Sequence, residues 1–226
     1  MNPDGVVNSA GFHTGPVSPG SSASVFGRGF ATTSANSFTV PLPTRLAGAT
    51  VTVNGIEAPL FFVSPTQINC QLPVEIGTGP ATIVVTRAGI ASEPETFTVS
   101  LAAPGIFIDL SRPIVQNQDG SINTPFNPAP RGSVVIVWVS GIGPTEPPRS
   151  TNTAAPIAPL YVATSDVSAS IGGIDAAVQF IGLAPGFIGL GQANLWVPAV
   201  ADGEHPIVIT VDGVESNAPP ISVGGP

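Results

Sequence analysis

The sequence predicts an all-β fold built from two tandem β-sandwich domains. Short apolar segments alternate with turns rich in Gly and Pro, which contribute 26 residues each, and the strands recur at a spacing of about ten residues, as in sandwiches. The motif Gln-Ile-Asn-Cys-Gln-Leu-Pro at 67–73 returns as Gln-Ala-Asn-Leu-Trp-Val-Pro at 192–198. A motif that occurs twice in the same strand-and-turn context indicates two copies of one unit.

The first copy is interpreted as a series of short strands with a hairpin at its centre. Residues 49–53 alternate apolar and polar side chains and meet Asn54-Gly55, a strong hairpin signal. Pro59 in the return strand predicts a bulge or an edge position. The predicted strands are 22–26, 49–53, 56–63, 67–72, 81–87 and 95–101.

The second copy repeats this order with altered loops. Gly172-Gly173 takes the place of Asn54-Gly55, and an inserted segment at 183–191 lengthens the connection to the second motif. The copies divide near 102–104, so the predicted domains are 1–103 and 104–226. No stretch shows sustained helical periodicity, and almost no helix is expected. The predicted strands before and after the motif are 134–139, 168–171, 174–181, 208–211 and 220–223.

Charge and cysteine content exclude several classes of function. Charged residues make up 9% of the chain, lysine is absent, and the net charge of −8 would repel a phosphate backbone. No apolar run approaches the roughly 18 residues of a membrane span, so the chain is not expected to be transmembrane. Cys70 is the only cysteine, and its place in a strand motif favours a buried apolar role.

The first residues carry no leader pattern. Residues 1–7 lack the basic and apolar regions of a signal peptide. Secretion would therefore require that the sequence is a mature form or a part of a longer precursor.

No catalytic residues, cofactor or metal are expected. The only histidines, His13 and His205, lie beside predicted loops, and Ser140 lacks the glycine-flanked turn that exposes a nucleophile. Acidic residues also lie close together beside predicted turns, a spacing that 14 acids in 226 residues produce by chance. These pairs are Glu93 with Glu95 and Asp202 with Glu204.

One loop begins like a calcium site. Asp119 opens the run Asp-Gly-Ser-Ile-Asn, but Pro130 stands at the twelfth position, where an EF-hand loop has its bidentate acid. A tight turn is therefore favoured. Calcium binding between loops stays open as an alternative.

The amides of the two motifs are expected to have a structural role. Gln and Asn two residues apart lie on one face of a strand, and their equivalent placement in both copies favours hydrogen bonds to a loop or to the inter-domain segment. The predicted structural residues are Gln67, Asn69, Pro73, Gln192, Asn194 and Pro198. The alternative is that Phe187 and Trp196 beside the second motif contact a ligand or partner, for example by stacking on a sugar.

The order and spacing of several segments resemble an uncharacterised module of Acidobacteria, seen especially in Solibacter-type bacteria. The resemblance covers nearly the whole chain and implies two immunoglobulin-like domains of the kind that close long secreted or cell-surface proteins. It implies no activity, because no catalytic or ligand residues are established for that family. The segments are Asn8-Ser-Ala, Val17-Ser-Pro-Gly-Ser, Pro41-Leu-Pro-Thr, Val53-Asn-Gly, Ala58-Pro-Leu, Ser64-Pro-Thr-Gln-Ile-Asn, Asn117-Gln-Asp-Gly, Gly182-Leu-Ala-Pro-Gly and 192–198.

We expect a non-enzymatic structural or interaction protein of the extracellular space or cell surface. Sheet edges are normally protected by charged side chains, above all lysine, and this chain has little such protection. Self-association, or binding to other cell-surface proteins, would then occur by strand addition or by docking of 1–12, 218–226 or 31–44, and would build a filament or matrix. The alternative is a carbohydrate-binding or adhesion module with Trp138, Tyr161 or Trp196 exposed.

Overall fold

A computed structural model describes residues 1–225, and in this range the chain forms 25 β-strands and no helix. The strands build two sandwiches in tandem, so the predicted all-β immunoglobulin-like fold is confirmed. Strands β1–β11 belong to the first sandwich. They are β1 Val6–Asn8, β2 Ser22–Phe26, β3 Ala35–Asn36, β4 Arg45–Leu46, β5 Ala49–Val53, β6 Ile56–Glu57, β7 Leu60–Val63, β8 Gln67–Gln71, β9 Gly79–Arg87, β10 Ile90–Ala91 and β11 Glu95–Val99.

The first sandwich packs a five-stranded sheet against a six-stranded one. The first sheet has the order β1-β2-β8-β7-β3, and the second has the order β10-β9-β5-β4 with β11 beside β9 and β6 beside β5. Strand β5 shows why these segments form strands. Its Ala49, Val51 and Val53 are fully buried, whereas the alternating threonines are half-buried on the outer face.

The second sandwich repeats this arrangement with a longer first sheet, of order β12-β16-β22-β21-β18-β17 with β15 beside β16. The opposing sheet has the order β20-β19-β23-β24 with β25 beside β23, and β13-β14 form a separate hairpin. The strands are β12 Gly105–Ile106, β13 Ile108–Asp109, β14 Arg112–Pro113, β15 Val115–Gln116, β16 Val134–Ser140, β17 Thr145–Glu146, β18 Val162–Ala163, β19 Val167–Ile171, β20 Ile174–Asp175, β21 Val178–Leu183, β22 Gly191–Trp196, β23 Gly203–Val211, β24 Val214–Glu215 and β25 Pro220–Val223.

Each sandwich has its own hydrophobic core. One cluster runs from Val6 to Val99 along the chain and the other from Ala102 to Val223. Ala102 precedes the predicted boundary between residues 103 and 104 and packs with the second cluster. Alternate residues of β16, namely Val135, Val137 and Val139, are fully buried in that core.

The two sandwiches meet at the linker between them, through hydrogen bonds that join side chains and backbone groups. The Asn8 side-chain amide donates to the Ala103 carbonyl at 2.8 Å, and the Ala103 amide donates to the Gly141 carbonyl at 3.0 Å. The Ser22 amide donates to Ser140 Oγ at 3.0 Å. Gly141 has a φ of 80°, and a Cβ there would lie 1.9 Å from the Ala103 carbonyl oxygen. Only glycine therefore allows this contact.

A loop of the second sandwich also clamps the first. Asn152 donates its side-chain amide to the Leu42 carbonyl and accepts from the Leu42 amide, both at 2.8 Å. Its own backbone amide donates to Gln71 Oε1 at 2.7 Å. Thr151 Oγ1 accepts from the Val74 amide at 2.7 Å. The Pro- and Thr-rich loop that contains these residues is thus part of the junction.

Arg149 completes the clamp through a backbone carbonyl. Its guanidinium donates to the Pro19 carbonyl, and burial lowers its pKa to about 10, so the side chain stays charged at neutral pH. A Cβ on Gly20 would lie 2.6 Å from Arg149 Nε. The glycine therefore makes room for the arginine.

Both terminal segments are used inside their own domain. Strand β1 pairs with β2 from Val6↔Val25 to Asn8↔Ala23, and β25 pairs with β23. The strands of 1–12 and 218–226 therefore belong to sheets of this chain, and docking of these segments to a neighbouring copy stays a prediction. Pro226 lies outside the described residues.

The clamp predicts that Asn152→Ala weakens the junction. The substitution removes two side-chain hydrogen bonds to backbone groups of Leu42, and we expect the free energy of unfolding to fall by about 2 kcal/mol. Urea denaturation followed by fluorescence measures this. Asn36→Ala, an exposed amide in strand β3, is the matched control, and equal stabilities of the two variants would contradict the role of the clamp.

The buried thiol predicts a loss of stability at alkaline pH. Burial raises the pKa of Cys70 from 9.0 to about 12, so above pH 9 the unfolded chain releases a proton that the folded chain retains. Stability should therefore decrease as the pH rises from 9 towards 12, by about 4 kcal/mol for this group. Denaturation of wild type and Cys70→Ala across this range tests it. Parallel curves for the two proteins would refute the prediction.

Candidate functional site

The repeated motif has the same local geometry in both sandwiches. In β8, Gln67 Nε2 donates to Asn69 Oδ1 at 2.8 Å, and in β22 Gln192 Nε2 donates to Asn194 Oδ1 at 2.8 Å. Both pairs lie half-buried on the outer face of their sheet. Each Gln–Asn pair thus forms one hydrogen bond within its own strand.

In both motifs, the residue before the final proline accepts a hydrogen bond from a backbone amide at an equivalent position. The Leu72 carbonyl, just before Pro73, accepts from the Gly20 amide at 3.0 Å, and the Val197 carbonyl, just before Pro198, accepts from the Gly132 amide at 2.9 Å. Proline has no amide to donate. Both strands therefore end at the same point.

The two asparagines differ in their remaining partners. Asn69 Oδ1 also accepts from Ser24 Oγ at 2.9 Å, whereas Asn194 lies opposite Ile136, which has no hydroxyl. Within residues 1–225, the Nδ2 groups of Asn69 and Asn194 donate no hydrogen bond, so each amide keeps a donor. The two copies therefore differ in what surrounds the amide.

Asn69 lines a groove of about 410 Å³ between the two domains. Four phenylalanines form its walls, Phe12 and Phe61 from the first sandwich and Phe107 and Phe187 from the second. An inter-domain cleft with apolar walls and a few polar groups is the usual form of a binding site. We call this feature the inter-domain groove. Its other side chains are the hydroxyls of Ser9 and Ser22 and the aliphatic groups of Ile108, Ile188 and Leu190.

The inserted loop of the second sandwich places Phe187. The Phe187 carbonyl accepts from the Ala155 amide at 3.0 Å, and the Gly186 amide donates to the Ala155 carbonyl at 2.8 Å. Gly189 has a φ of 66°, and a Cβ there would lie 3.2 Å from the Gly20 carbonyl oxygen of the first sandwich. The loop is therefore held against the first sandwich, while 53% of Phe187 remains exposed.

The loop after β1 places Phe12 on the opposite wall. The Phe12 amide donates to the Asn8 carbonyl at 3.0 Å, and Asn8 Oδ1 accepts from the Ala10 amide at 2.8 Å. The Phe12 ring contacts the Phe26 ring at a centroid distance of 6.3 Å. Because Asn8 also bonds across the junction, one residue fixes both the domain contact and this wall.

The groove is electrically neutral. None of the residues that line it is acidic or basic, and the exposed parts of the rings offer flat apolar faces. It therefore suits an uncharged ligand or an apolar side chain. Its lining residues exert no long-range attraction or repulsion on charged molecules.

Trp196 lies far from the groove and from Phe187. It is the last residue of β22 and lies five positions along the strand from Gly191, a distance of about 16 Å. Of the other aromatic candidates, Trp138 is half-buried on the same sheet face, and Tyr161 packs against the second core. The structure thus brings Phe187 to a cleft and leaves Trp196 outside it.

The second acidic pair and one histidine are engaged in local contacts in the described chain. Asp202 and Glu204 form ion pairs with Arg131 and Arg112, respectively, and His205 Nε2 lies 2.7 Å from the Ala201 carbonyl oxygen. No group of three or more His, Cys, Asp or Glu among these residues could hold a metal ion. No helix in residues 1–225 is long and apolar enough to span a membrane.

The predicted tight turn at 119–123 is present. Asp119 Oδ1 accepts from the Ser121 hydroxyl at 2.5 Å and from the Ser121 amide at 3.0 Å. These hydrogen bonds lower the pKa of Asp119. The Asp119 carboxylate therefore accepts hydrogen bonds that stabilise its own turn.

Sequence reasoning missed Phe12, Phe61 and Phe107. One signal was available in Phe61-Phe62, because consecutive strand residues face opposite sides and cannot both enter the core of an ordinary strand. The bulge between Leu60 and Phe62 leaves both rings half-buried. This bulge directly follows Pro59, where the sequence predicted one.

Comparisons with known proteins concern mainly the fold. The family model described as the IPT/TIG domain matches residues 6–99, which form the first sandwich. A search of curated proteins gave no match. Several solved structures are similar to the chain at low sequence identity.

A chain from the Bacteroides ovatus mixed-linkage glucan utilization locus, SGBP-B in complex with a mixed-linkage heptasaccharide, is 16% identical. The match covers 92% of this chain and 43% of that one, with a TM-score of 0.37. The surface glycan-binding protein PbSGBP-B from Prevotella bryantii is 12% identical over 94% and 40% of the two chains, with a TM-score of 0.30. The Escherichia coli adhesin FdeC is 14% identical over 92% and 61%, with a TM-score of 0.29.

This chain thus spans less than half the length of the two glycan-binding chains. At these identities and TM-scores the similarity carries no information about what the chain binds. The first of its two immunoglobulin-like sandwiches is the part that the IPT/TIG model describes.

Proposed function

We propose that this chain is a non-enzymatic structural and interaction protein of the cell surface or extracellular space, which self-associates by docking an exposed segment of one copy into the inter-domain groove of another. The observation that carries the proposal is the neutral, phenylalanine-walled groove at a junction fixed by hydrogen bonds. Such a site binds by shape and apolar contact, and its lining holds no carboxylate, imidazole or amine that could act as a general acid or base.

The docking segment is 37–40, which lies in the loop 31–44. Phe38 is 91% exposed and Val40 is 62% exposed. Residues two apart in an extended segment point to the same side, so both side chains can enter one groove. Thr39 lies between them, and its hydroxyl donates a hydrogen bond to the Pro41 carbonyl of the same loop at 2.9 Å.

The segment starts beside the groove of its own chain. The Ser37 amide donates to the Phe61 carbonyl at 2.8 Å, and Phe61 forms part of the groove wall. Two residues beyond its other end, the Leu42 amide donates to Asn152 Oδ1. Segment and groove therefore lie on one side of the molecule, so that two copies can dock reciprocally, or, if the rotation does not close, extend into a filament.

Charge makes this association dependent on salt. Each copy carries a formal charge of −8, so copies repel one another at low ionic strength, whereas the neutral groove contributes no compensating attraction. Added salt screens the repulsion over about 10 Å at 0.1 M. Self-association should therefore strengthen as salt increases.

The proposal predicts that Phe38→Ser weakens self-association. Losing burial of one phenylalanine at a contact should raise the dissociation constant about tenfold or more, measured by sedimentation velocity over a concentration series. Phe126→Ser is the matched control, because Phe126 is 99% exposed on a loop of the second sandwich. Electron microscopy of the wild type distinguishes closed dimers from filaments.

Two outcomes would oppose the proposal. Wild-type protein that stays monomeric at high concentration and high salt excludes self-association. Equal weakening by Phe38→Ser and Phe126→Ser would show that any exposed phenylalanine contributes, and would reject docking of 37–40.

Glycan binding is the second candidate function, favoured by the free amide donor in the groove. Asn69 Nδ2 has no acceptor among residues 1–225, and Ser9 and Ser22 line the same cleft as the phenylalanine rings. Amides and hydroxyls beside aromatic faces can hydrogen-bond and stack on a neutral sugar. A glycan would occupy the space that a second copy takes in the first proposal.

This candidate predicts that Asn69→Ala lowers affinity for a neutral oligosaccharide about tenfold. A glycan array identifies the sugar, and calorimetry measures the change. Asn194→Ala is the control, since it removes the equivalent amide of the second motif outside the groove. Absence of any array signal, or equal losses for both variants, would exclude glycan binding in the groove.

A further inference from the structure

We propose a second binding site, for a carboxylate ligand, at the end of the first sandwich that faces away from the second. A cavity of about 440 Å³ there is lined by Arg28 and Arg87. Strand β2 begins at the junction with Ser22, and Arg28 follows its other end. The cavity shares no residue with the inter-domain groove and does not depend on the function proposed above.

The cavity lies where the two sheets of the sandwich diverge. Arg87 ends β9 in one sheet, and Arg28 lies in the loop after β2 of the other sheet. Arg87 Nη1 donates to the Gly29 carbonyl at 3.1 Å, which fixes the side chain across the opening. Phe30 and Ile90 supply apolar walls.

The charge of this cavity opposes that of the whole chain. The chain has 14 acidic residues and six arginines, yet no acidic residue lines this cavity. Among the described residues, the arginines that form ion pairs are Arg112 and Arg131. Arg28 and Arg87 thus create a local positive site with nothing in the cavity lining to neutralise it.

The second sandwich serves as an internal comparison. Gly141-Ile142-Gly143 takes the place of Gly27-Arg28-Gly29, and Val211-Asp212-Gly213 takes the place of Arg87-Ala88-Gly89. The hairpin backbone is the same, with φ values of 49° and 80° at Ala88 and Gly89 and of 49° and 77° at Asp212 and Gly213. The scaffold therefore forms without either arginine, and both are features of the first copy alone.

The chemistry of the lining selects the ligand class. Guanidinium groups bind carboxylates through paired, charge-assisted hydrogen bonds, and the cavity is large enough for a small molecule. Phe30 and Ile90 add an apolar surface beside the charges. A carboxylate attached to a small body with an apolar face fits this lining, and a hexuronic acid or the C-terminal residue of a peptide can present it.

Titration calorimetry with the full chain tests the site. Glucuronate and N-acetyl-leucine represent the two sources of the carboxylate, and glucose and N-acetyl-leucinamide are their uncharged counterparts. We expect one acid to bind, its counterpart to bind at least about tenfold more weakly, and affinity to fall with added salt. Binding of neither acid, or equal binding of acid and counterpart, overturns the proposal.

Substitutions locate the binding to this cavity. Arg28→Gln and Arg87→Gln should each weaken binding about tenfold or more, whereas Arg45→Gln, at an exposed arginine of the same domain outside the cavity, should not. Arg28→Gln leaves the Arg87–Gly29 bond in place, so its effect does not come from loss of that contact. Equal affinity of Arg28→Gln and Arg45→Gln would overturn the assignment, and a loss in Phe187→Ala would place the ligand in the inter-domain groove instead.

Discussion

The contact between Gly141 of the second sandwich and Ala103 of the linker is the constraint on which the rest of the molecule depends. The two backbones approach so closely there that a Cβ on Gly141 would lie 1.9 Å from the Ala103 oxygen. Such an approach orders the linker because its buried amides and carbonyls must find hydrogen-bond partners. The Asn8 and Asn152 side chains satisfy further groups on either side. The groove exists because these bonds hold the domains in one arrangement, so its shape is a property of the junction.

Comparison of the two copies distinguishes the features that both sandwiches share from those that occur in one sandwich alone. The bonds from Gln67 to Asn69 and from Gln192 to Asn194 have equal lengths of 2.8 Å in the two copies, and this equality supports the structural role predicted for these amides. Ser24 and Phe187, by contrast, have no equivalent in the other copy, and each contributes to the surroundings of the groove. Features confined to one copy are therefore the ones that function can select without loss of the fold.

The sequence was sufficient for the strands but not for the site. Alternation in 49–53 and the Asn54-Gly55 turn determine local structure within a few residues, and the structure has β5 and β6 at those places. The groove depends on Phe12 and Phe107, which are 95 residues apart and meet only through the domain junction. Neither lies in the repeated motif, and no local pattern encodes the angle between two domains. The sequence indicates Phe187 and Trp196 together because both lie beside the second motif, but their separation follows only from the strand between them.

The lengths of the edge strands favour docking of side chains over strand addition. Low charge and absence of lysine suggested open edges, yet β3 and β17 at the ends of their sheets have two residues each, and β1 has three. Very short edges protect a sheet as effectively as charge does, since they offer few consecutive backbone groups to a new strand. The longer β11 begins with Glu95, and its last residue Val99 is bridged by Val17. The proposed self-association therefore uses the side chains of exposed loops, such as Phe38, and the neutral groove between the domains is the concave surface proposed to receive them.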